Sequence, residues 1–214
     1  MKRNKILISA GGTGGHFFPA ISVATELKKR NNEIIFVTDQ RCKKYTSNIE
    51  GINFKIINVY IKTNTLLNKL SSIISLCKAS IQGLIFIYRT KPNIAIGFGG
   101  YPSFPALLAC RLFRIPIIIH EQNNFLGIAN NFFANYAKLI TTSYQSMNII
   151  HPKTKKKIKY IGDIVRNEIK GHNYRVDHDC KILNIFIFGG SQGAMFFSLS
   201  LPHAIVRAKE LDSN

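Results

Sequence analysis

The sequence predicts an α/β fold built on a parallel sheet with helices on both faces. Three observations carry the prediction. Short β-branched apolar runs recur along the chain, they alternate with longer segments of helical periodicity, and three of the runs end in glycine-rich turns. Runs that are apolar throughout belong to a sheet buried on both sides, because a half-exposed strand would alternate.

In chain order, strands are expected at residues 5–9, 34–38, 54–59, 93–97, 116–120 and 138–142, with helices at 19–29, 66–88, 104–113 and 128–137. Pro19 marks the expected start of the first helix, since a proline is best tolerated in a first turn. This order is that of a Rossmann-like domain, in which ligands sit beyond the carboxyl ends of the strands. Around 152–159 the chain becomes polar and basic, and 162–179 has little apolar periodicity, as expected of a boundary. Beyond it, 182–188 reads as a buried strand, followed by a helix to about residue 210.

The three turns are Gly11-Gly12-Thr13-Gly14-Gly15-His16, Gly97-Phe98-Gly99-Gly100-Tyr101 and Gly189-Gly190-Ser191-Gln192-Gly193-Ala194. Such a turn brings backbone N–H groups close to an anionic oxygen, and the helix after it points its positive end at the same place. Three of them point to phosphate chemistry. His16 follows the first turn directly and is the candidate general base, a helix N-terminus favouring the neutral imidazole that a base requires, the alternative being that it only caps or packs that helix. Glu121, beside His120 at a strand end, is a second acid-base candidate, the alternative being that it only orders its loop.

With 29 Lys and Arg against 11 Asp and Glu, the formal charge of +18 favours anionic partners. No zinc-finger spacing, aromatic RNA-binding motif or basic repeat accompanies that charge, so nucleic acid is not the expected partner. Cys42, Cys77, Cys110 and Cys180 lie far apart without a C-x-x-C pair, which reads as reduced thiols in a cytosolic chain. His172, His178 and Cys180 lack paired ligand spacing, and no metal site is expected from them. The apolar runs, such as 81–88, are shorter than the roughly 20 residues that span a bilayer. Residues 63–88 nevertheless hold more apolar positions than one helix face needs, flanked by Lys62, Lys69, Lys78 and Arg89. Either the excess is core, or it meets an anionic bilayer surface.

Gly11 through His16 with Pro19-Ala20, Gly99-Gly100-Tyr101 with Ser103 and Pro105, His120-Glu121-Gln122-Asn123 with Gly127 and Asn130, and Gly189 through Ala194 together resemble the bacterial cell-wall N-acetylglucosaminyltransferases. Members of that family convert the lipid-linked muramyl pentapeptide, lipid I, into lipid II. The resemblance implies a GT-B type glycosyltransferase, with an N-terminal Rossmann-like acceptor- and membrane-binding domain at 1–160, a linker at 161–181, and at 182–214 the first β-α unit of a truncated UDP-sugar-binding domain. It assigns contacts with the donor UDP-N-acetylglucosamine (UDP-GlcNAc) to Thr13, Gly14, Gly15, Asn123, Arg166 and Ser191, and the acceptor diphosphate to Gly12, Gly99, Gly100 and Tyr101. The implied reaction is an inverting transfer to the C4 hydroxyl of the N-acetylmuramic acid of lipid I. Helix dipoles and Arg166 would spread the leaving-group charge, so no cofactor or catalytic metal is expected. The implied partners are UDP-GlcNAc, undecaprenyl-linked lipid I, an anionic membrane surface and other cell-wall synthesis proteins, at the cytoplasmic face of the inner membrane.

The sequence departs from the family at Asp163 and Ile164, where Asn and Pro are usual, and at Met195 and Ser198, where Arg and Asn are usual. Family members also extend well beyond the position of Asn214. Two other readings follow: an acceptor-binding fragment without turnover, and a nicotinamide-dinucleotide protein in which Gly12-Thr13-Gly14 is part of the fingerprint and Asp39 holds a ribose.

Overall fold

The computed structural model describes residues 3–47, 49–62, 64–147, 152–166, 169, 185–189 and 194–212. Its first compact unit reaches Lys170, and the second begins at Gly171.

The apolar runs of the first unit form seven parallel strands: β1 (Lys5–Ser9), β2 (Glu33–Thr38), β3 (Asn53–Ile56), β4 (Ile94–Gly97), β5 (Ile117–Glu121), β6 (Leu139–Thr142) and β7 (Ile158–Tyr160), in the order β3-β2-β1-β4-β5-β6-β7. Alternate residues feed two cores. Ile6, Ile8, Ile34 and Phe36 pack with Phe17, Ala20, Ile21 and Ala24 of helix α1 (Gly14–Lys29). Leu7, Ile35 and Val37 point to the other face. There they meet helices α2 (Leu66–Thr90), α3 (Ser103–Leu112) and α4 (Ile128–Ala134). Double coverage makes continuously apolar strands the stable choice.

Helix α1 starts at Gly14, a turn and more before Pro19. The proline sits in the second turn, where its missing N–H leaves the Gly15 carbonyl without that partner. The third strand is shorter than its apolar run. Three elements carry too little apolar pattern to be read beforehand: a 3₁₀ helix (Gln40–Tyr45), the short α5 (Pro152–Lys155), and β7, which pairs with β6 inside the basic stretch.

Helix α2 inverts the usual arrangement. It buries the small residues Ser72, Ala79 and Gly83 together with Ile87, and exposes Leu66, Leu67, Leu70, Ile73, Ile74, Ile81 and Ile85. A Cβ on Gly83 would lie 2.6 Å from the Pro105 carbonyl oxygen, so α2 crosses α3 at backbone contact. The excess of large apolar residues is therefore surface. As a whole, α2 is long and apolar enough to cross a membrane, unlike its separate apolar runs, yet it packs along α3 as part of the domain.

Cys42, Cys77 and Cys110 are free thiols. Burial pushes the Cys110 thiol up to about 12, which fits core filling, whereas Cys77 is exposed. In the second unit, the described part of the expected 182–188 strand, residues 185–188, is exposed and does not form a strand. A strand requires a neighbour to pair with, and no other strand is present among the described residues of that unit. Helix α6 (Ala194–Asp212) follows as expected.

Candidate active site at the switch point of the sheet

From β1 the chain winds outward to β2 and β3, then returns to place β4 on the other side of β1. That reversal opens a crevice beyond the carboxyl ends of β1 and β4. The first glycine turn follows β1 and the second follows β4, so both fall there.

Contact between the turns depends on the absence of side chains. A Cβ on Gly100 would lie 2.3 Å from the Gly11 carbonyl oxygen, and one on Gly11 would lie 2.8 Å from Cγ of Pro102. Gly12, Gly99 and Gly100 have φ of 91°, 92° and 79°, a region open to glycine at little cost. Thr13 is the N-cap of α1 without a side-chain cap bond, and the first turn carries no acidic residue. The N–H groups of Gly14 and Gly15 at that end therefore have no side-chain cap.

His16 lies in that first turn. A Cβ on Gly99 would be 3.3 Å from its Cε1, 3.4 Å from its Nδ1 and 3.1 Å from Nδ2 of Asn130. Gly99 is thus where α1, the second turn and α4 meet. The His16 Nδ1 is buried without a hydrogen-bond partner.

Asn130 leads to Glu121. The fully buried Glu121 accepts at Oε1 from Asn123 N (3.1 Å) and Nδ2 (2.9 Å), and at Oε2 from Gly127 N (3.0 Å) and Asn130 Nδ2 (2.8 Å). Both oxygens are saturated with donors, which suits a loop organiser better than a group that exchanges protons with a ligand. Gln122 Nε2 donates to the Phe98 carbonyl (3.2 Å), tying this loop to the second turn. Beside it, His120 Nδ1 lies 3.0 Å from Thr141 Oγ1, whose hydroxyl donates to the Ile119 carbonyl (3.2 Å). The hydroxyl hydrogen being used, Nδ1 carries the imidazole proton. The His120 Nε2 is buried without a partner, and burial lowers the ring's pKa to about 4.

Of the other site residues expected from the sequence, Arg166 stacks over the Phe18 ring at 4.6 Å, and that ring lies 3.0 Å from a Cβ built on Gly14. The guanidinium therefore reaches the first turns of α1. Asn123 and Tyr101 are exposed at the loops, as is Asp163 after β7. Ser191, His172, His178 and Cys180 lie outside the described residues. Among the described residues, no three His, Cys, Asp or Glu side chains gather as a metal centre needs.

Asp39 has a different place from the one a ribose-binding residue needs. It is 3% exposed, accepts from Gly12 N at 3.3 Å and pairs with Nε of Arg41. Its carboxylate is committed to the protein, which removes the group on which the dinucleotide reading depended. Arg41 itself was not singled out in the sequence; the available signal was an Asp-x-Arg directly after a strand that ends at the crevice.

Residues 6–142 match the glycosyltransferase family 28 N-terminal domain. The chain belongs to glycosyltransferase family 28. Two family 28 relatives are each named as a UDP-N-acetylglucosamine–N-acetylmuramyl-(pentapeptide) pyrophosphoryl-undecaprenol N-acetylglucosamine transferase. The chain is 42% identical to the Rickettsia canadensis protein over 202 residues and 42% identical to the Rickettsia bellii protein over 205, covering 94% of this chain and 56% of each relative. It therefore spans little more than half their length. The crystal structure of Acinetobacter baumannii MurG superposes with a TM-score of 0.63 at 26% identity, over 73% of this chain and 45% of that one. The parallel α/β sheet is accordingly the N-terminal sheet of a GT-B glycosyltransferase.

Proposed function

We propose that the chain supplies the acceptor half, and the edge of the donor site, of an inverting N-acetylglucosaminyltransferase that joins UDP-GlcNAc to lipid I to form lipid II. The observation that carries the reading is the seating of His16, at the N-terminus of α1, against Gly99 in the switch-point crevice. The names of the family 28 relatives support the substrates.

In this reading the acceptor diphosphate lies on Gly12, Gly99, Gly100 and Tyr101. With Nδ1 buried, Nε2 of His16 takes the proton of the C4 hydroxyl as its oxygen bonds to the anomeric carbon, and the bond from that carbon to the UDP oxygen breaks on the opposite face. The N–H groups of Thr13, Gly14 and Gly15, with Arg166, receive the diphosphate charge, so the chemistry calls for no metal. Asn123 contacts the donor, and Glu121 holds its loop in position. The exposed apolar face of α2, edged by Lys62, Lys69, Lys78 and Arg89, rests on the anionic cytoplasmic leaflet where the acceptor resides.

A second reading is acceptor binding without turnover, since the residues assigned to the acceptor diphosphate, Gly12, Gly99, Gly100 and Tyr101, all lie on the two turns at the crevice. One experiment addresses both. Transfer of labelled N-acetylglucosamine to a soluble lipid I analogue is measured for residues 1–214 and for His16→Ala. Transfer that disappears in the variant supports the enzyme reading with His16 as base, and undiminished transfer in the variant removes His16. Absence of transfer with acceptor binding retained supports the second reading.

A further inference from the structure

A charged side chain that the reading above does not use stands over the first glycine turn. Arg41 extends from the 3₁₀ helix after β2, and that helix is fixed from two sides: Gln40 N donates to Asn58 Oδ1 at 2.8 Å, and Cys42 N donates to the Asp39 carbonyl at 3.1 Å. Asp39 joins Arg41 to the turn. One carboxylate oxygen accepts from Gly12 N, the other pairs with Arg41 Nε, and the side chain is 4% exposed against 55% for Arg41.

The guanidinium lies over Gly12 as a result. A Cβ there would be 3.3 Å from Nη2 and 3.8 Å from Nη1. Nε is spent on Asp39, while the two Nη groups stand over Gly12. A guanidinium pre-oriented by a buried carboxylate binds a phosphate oxygen with little further loss of side-chain freedom, and its fork suits paired oxygens. Glycine at position 12 keeps that space open.

We propose that Arg41, positioned by Asp39 above Gly12, is a phosphate-binding residue of the crevice that takes oxygens of a diphosphate ester. The inference rests on the proposed transferase reading for the source of that ester, either the lipid-linked acceptor or the nucleotide donor. Its place over Gly12, which the reading above assigns to the acceptor diphosphate, gives the acceptor as the source to be expected.

The test is titration of the 214-residue protein with inorganic pyrophosphate, UDP and a soluble lipid I analogue by calorimetry, using wild type, Arg41→Gln, Arg41→Lys and Lys44→Gln. Lys44 stacks on Tyr45 on the same 3₁₀ helix and controls for loss of charge. Arg41→Gln should weaken pyrophosphate binding about tenfold, Arg41→Lys should fall between it and wild type, and Lys44→Gln should stay within about twofold. A loss confined to the lipid I analogue gives the acceptor, and one confined to UDP gives the donor. Pyrophosphate binding that is absent in wild type, or equal in wild type and both Arg41 variants, overturns the inference. Arg41-dependent pyrophosphate binding without affinity for UDP or the lipid I analogue leaves it standing and overturns the transferase reading instead.

Discussion

His16 and Gly99 share one small volume: the imidazole covers the backbone of the second turn so closely that a Cβ on Gly99 would come within 3.3 Å of Cε1. The same packing makes Gly100 the more demanding position, with φ of 79° and the Gly11 carbonyl oxygen 2.3 Å from where a Cβ would stand. Gly100→Ala adds the left-handed penalty of about 1–2 kcal/mol to a backbone collision, and a total loss above roughly 2 kcal/mol is expected. Gly15 has φ in the ordinary region, and its nearest contact for a Cβ is Thr13 Oγ1 at 3.7 Å. Gly15→Ala should therefore stay within about 0.5 kcal/mol of wild type. Urea denaturation of the two variants checks the contrast, and equal stabilities would contradict the close approach of the turns.

Glu121 illustrates how a carboxylate beside a crevice can be structural. Replacing it with Ala strands four donors from Asn123, Gly127 and Asn130, the last of them buried, at an expected cost of about 3 kcal/mol or more. Glu121→Gln keeps the shape but turns an NH₂ toward N–H groups, and about 1–3 kcal/mol should be lost. Both should speed amide hydrogen exchange at Asn123 and Gly127. Variants with wild-type stability and exchange would return Glu121 to the acid-base candidates.

Most strands were legible because burial on both faces leaves an unbroken run such as Ile117–Ile119, whose shortness and β-branched composition set it apart from a buried helix. The glycine turns were legible for a related reason, since clustered glycines have few other uses. The Asp39–Arg41–Gly12 connection was hidden because it joins positions 27 residues apart through a polar 3₁₀ helix with no apolar period. The fate of Leu66 through Ile85 was equally hidden: a stripe of large apolar residues looks the same whether it enters a core or leaves it. Only the small residues opposite, Ser72, Ala79 and Gly83, show that α3 takes the other face.

His120 ties stability to pH. Its folded-state pKa of about 4 lies below the ordinary value of 6.5, mainly because burial disfavours the imidazolium, against the opposing influence of Glu121 and Asp163. Between those values the unfolded chain binds more protons than the folded one, so stability rises with pH through the window and is lost as pH falls from about 6.5 to about 4. The contribution is on the order of 3 kcal/mol at its full extent. Denaturant midpoints measured across that range should fall less steeply for His120→Asn than for wild type. Parallel slopes would mean that His120 is not the group responsible.

Leu70 and Ile81 stand three helical turns apart on the exposed stripe of α2, each 56% exposed, with Ile73 between them at 58%, while Lys69 and Lys78 flank them. Replacing both with Gln leaves the charge intact and touches no buried contact, so folding stability should change by no more than about 0.5 kcal/mol. If the stripe enters the headgroup region, the two side chains contribute apolar burial that the substitutions abolish, and binding to vesicles containing anionic lipid should weaken about tenfold. Raised salt should weaken wild type and variant alike, because the basic flank is common to both. Cosedimentation gives both readouts, and unaltered vesicle binding by the variant would show that the membrane contact lies on some other face.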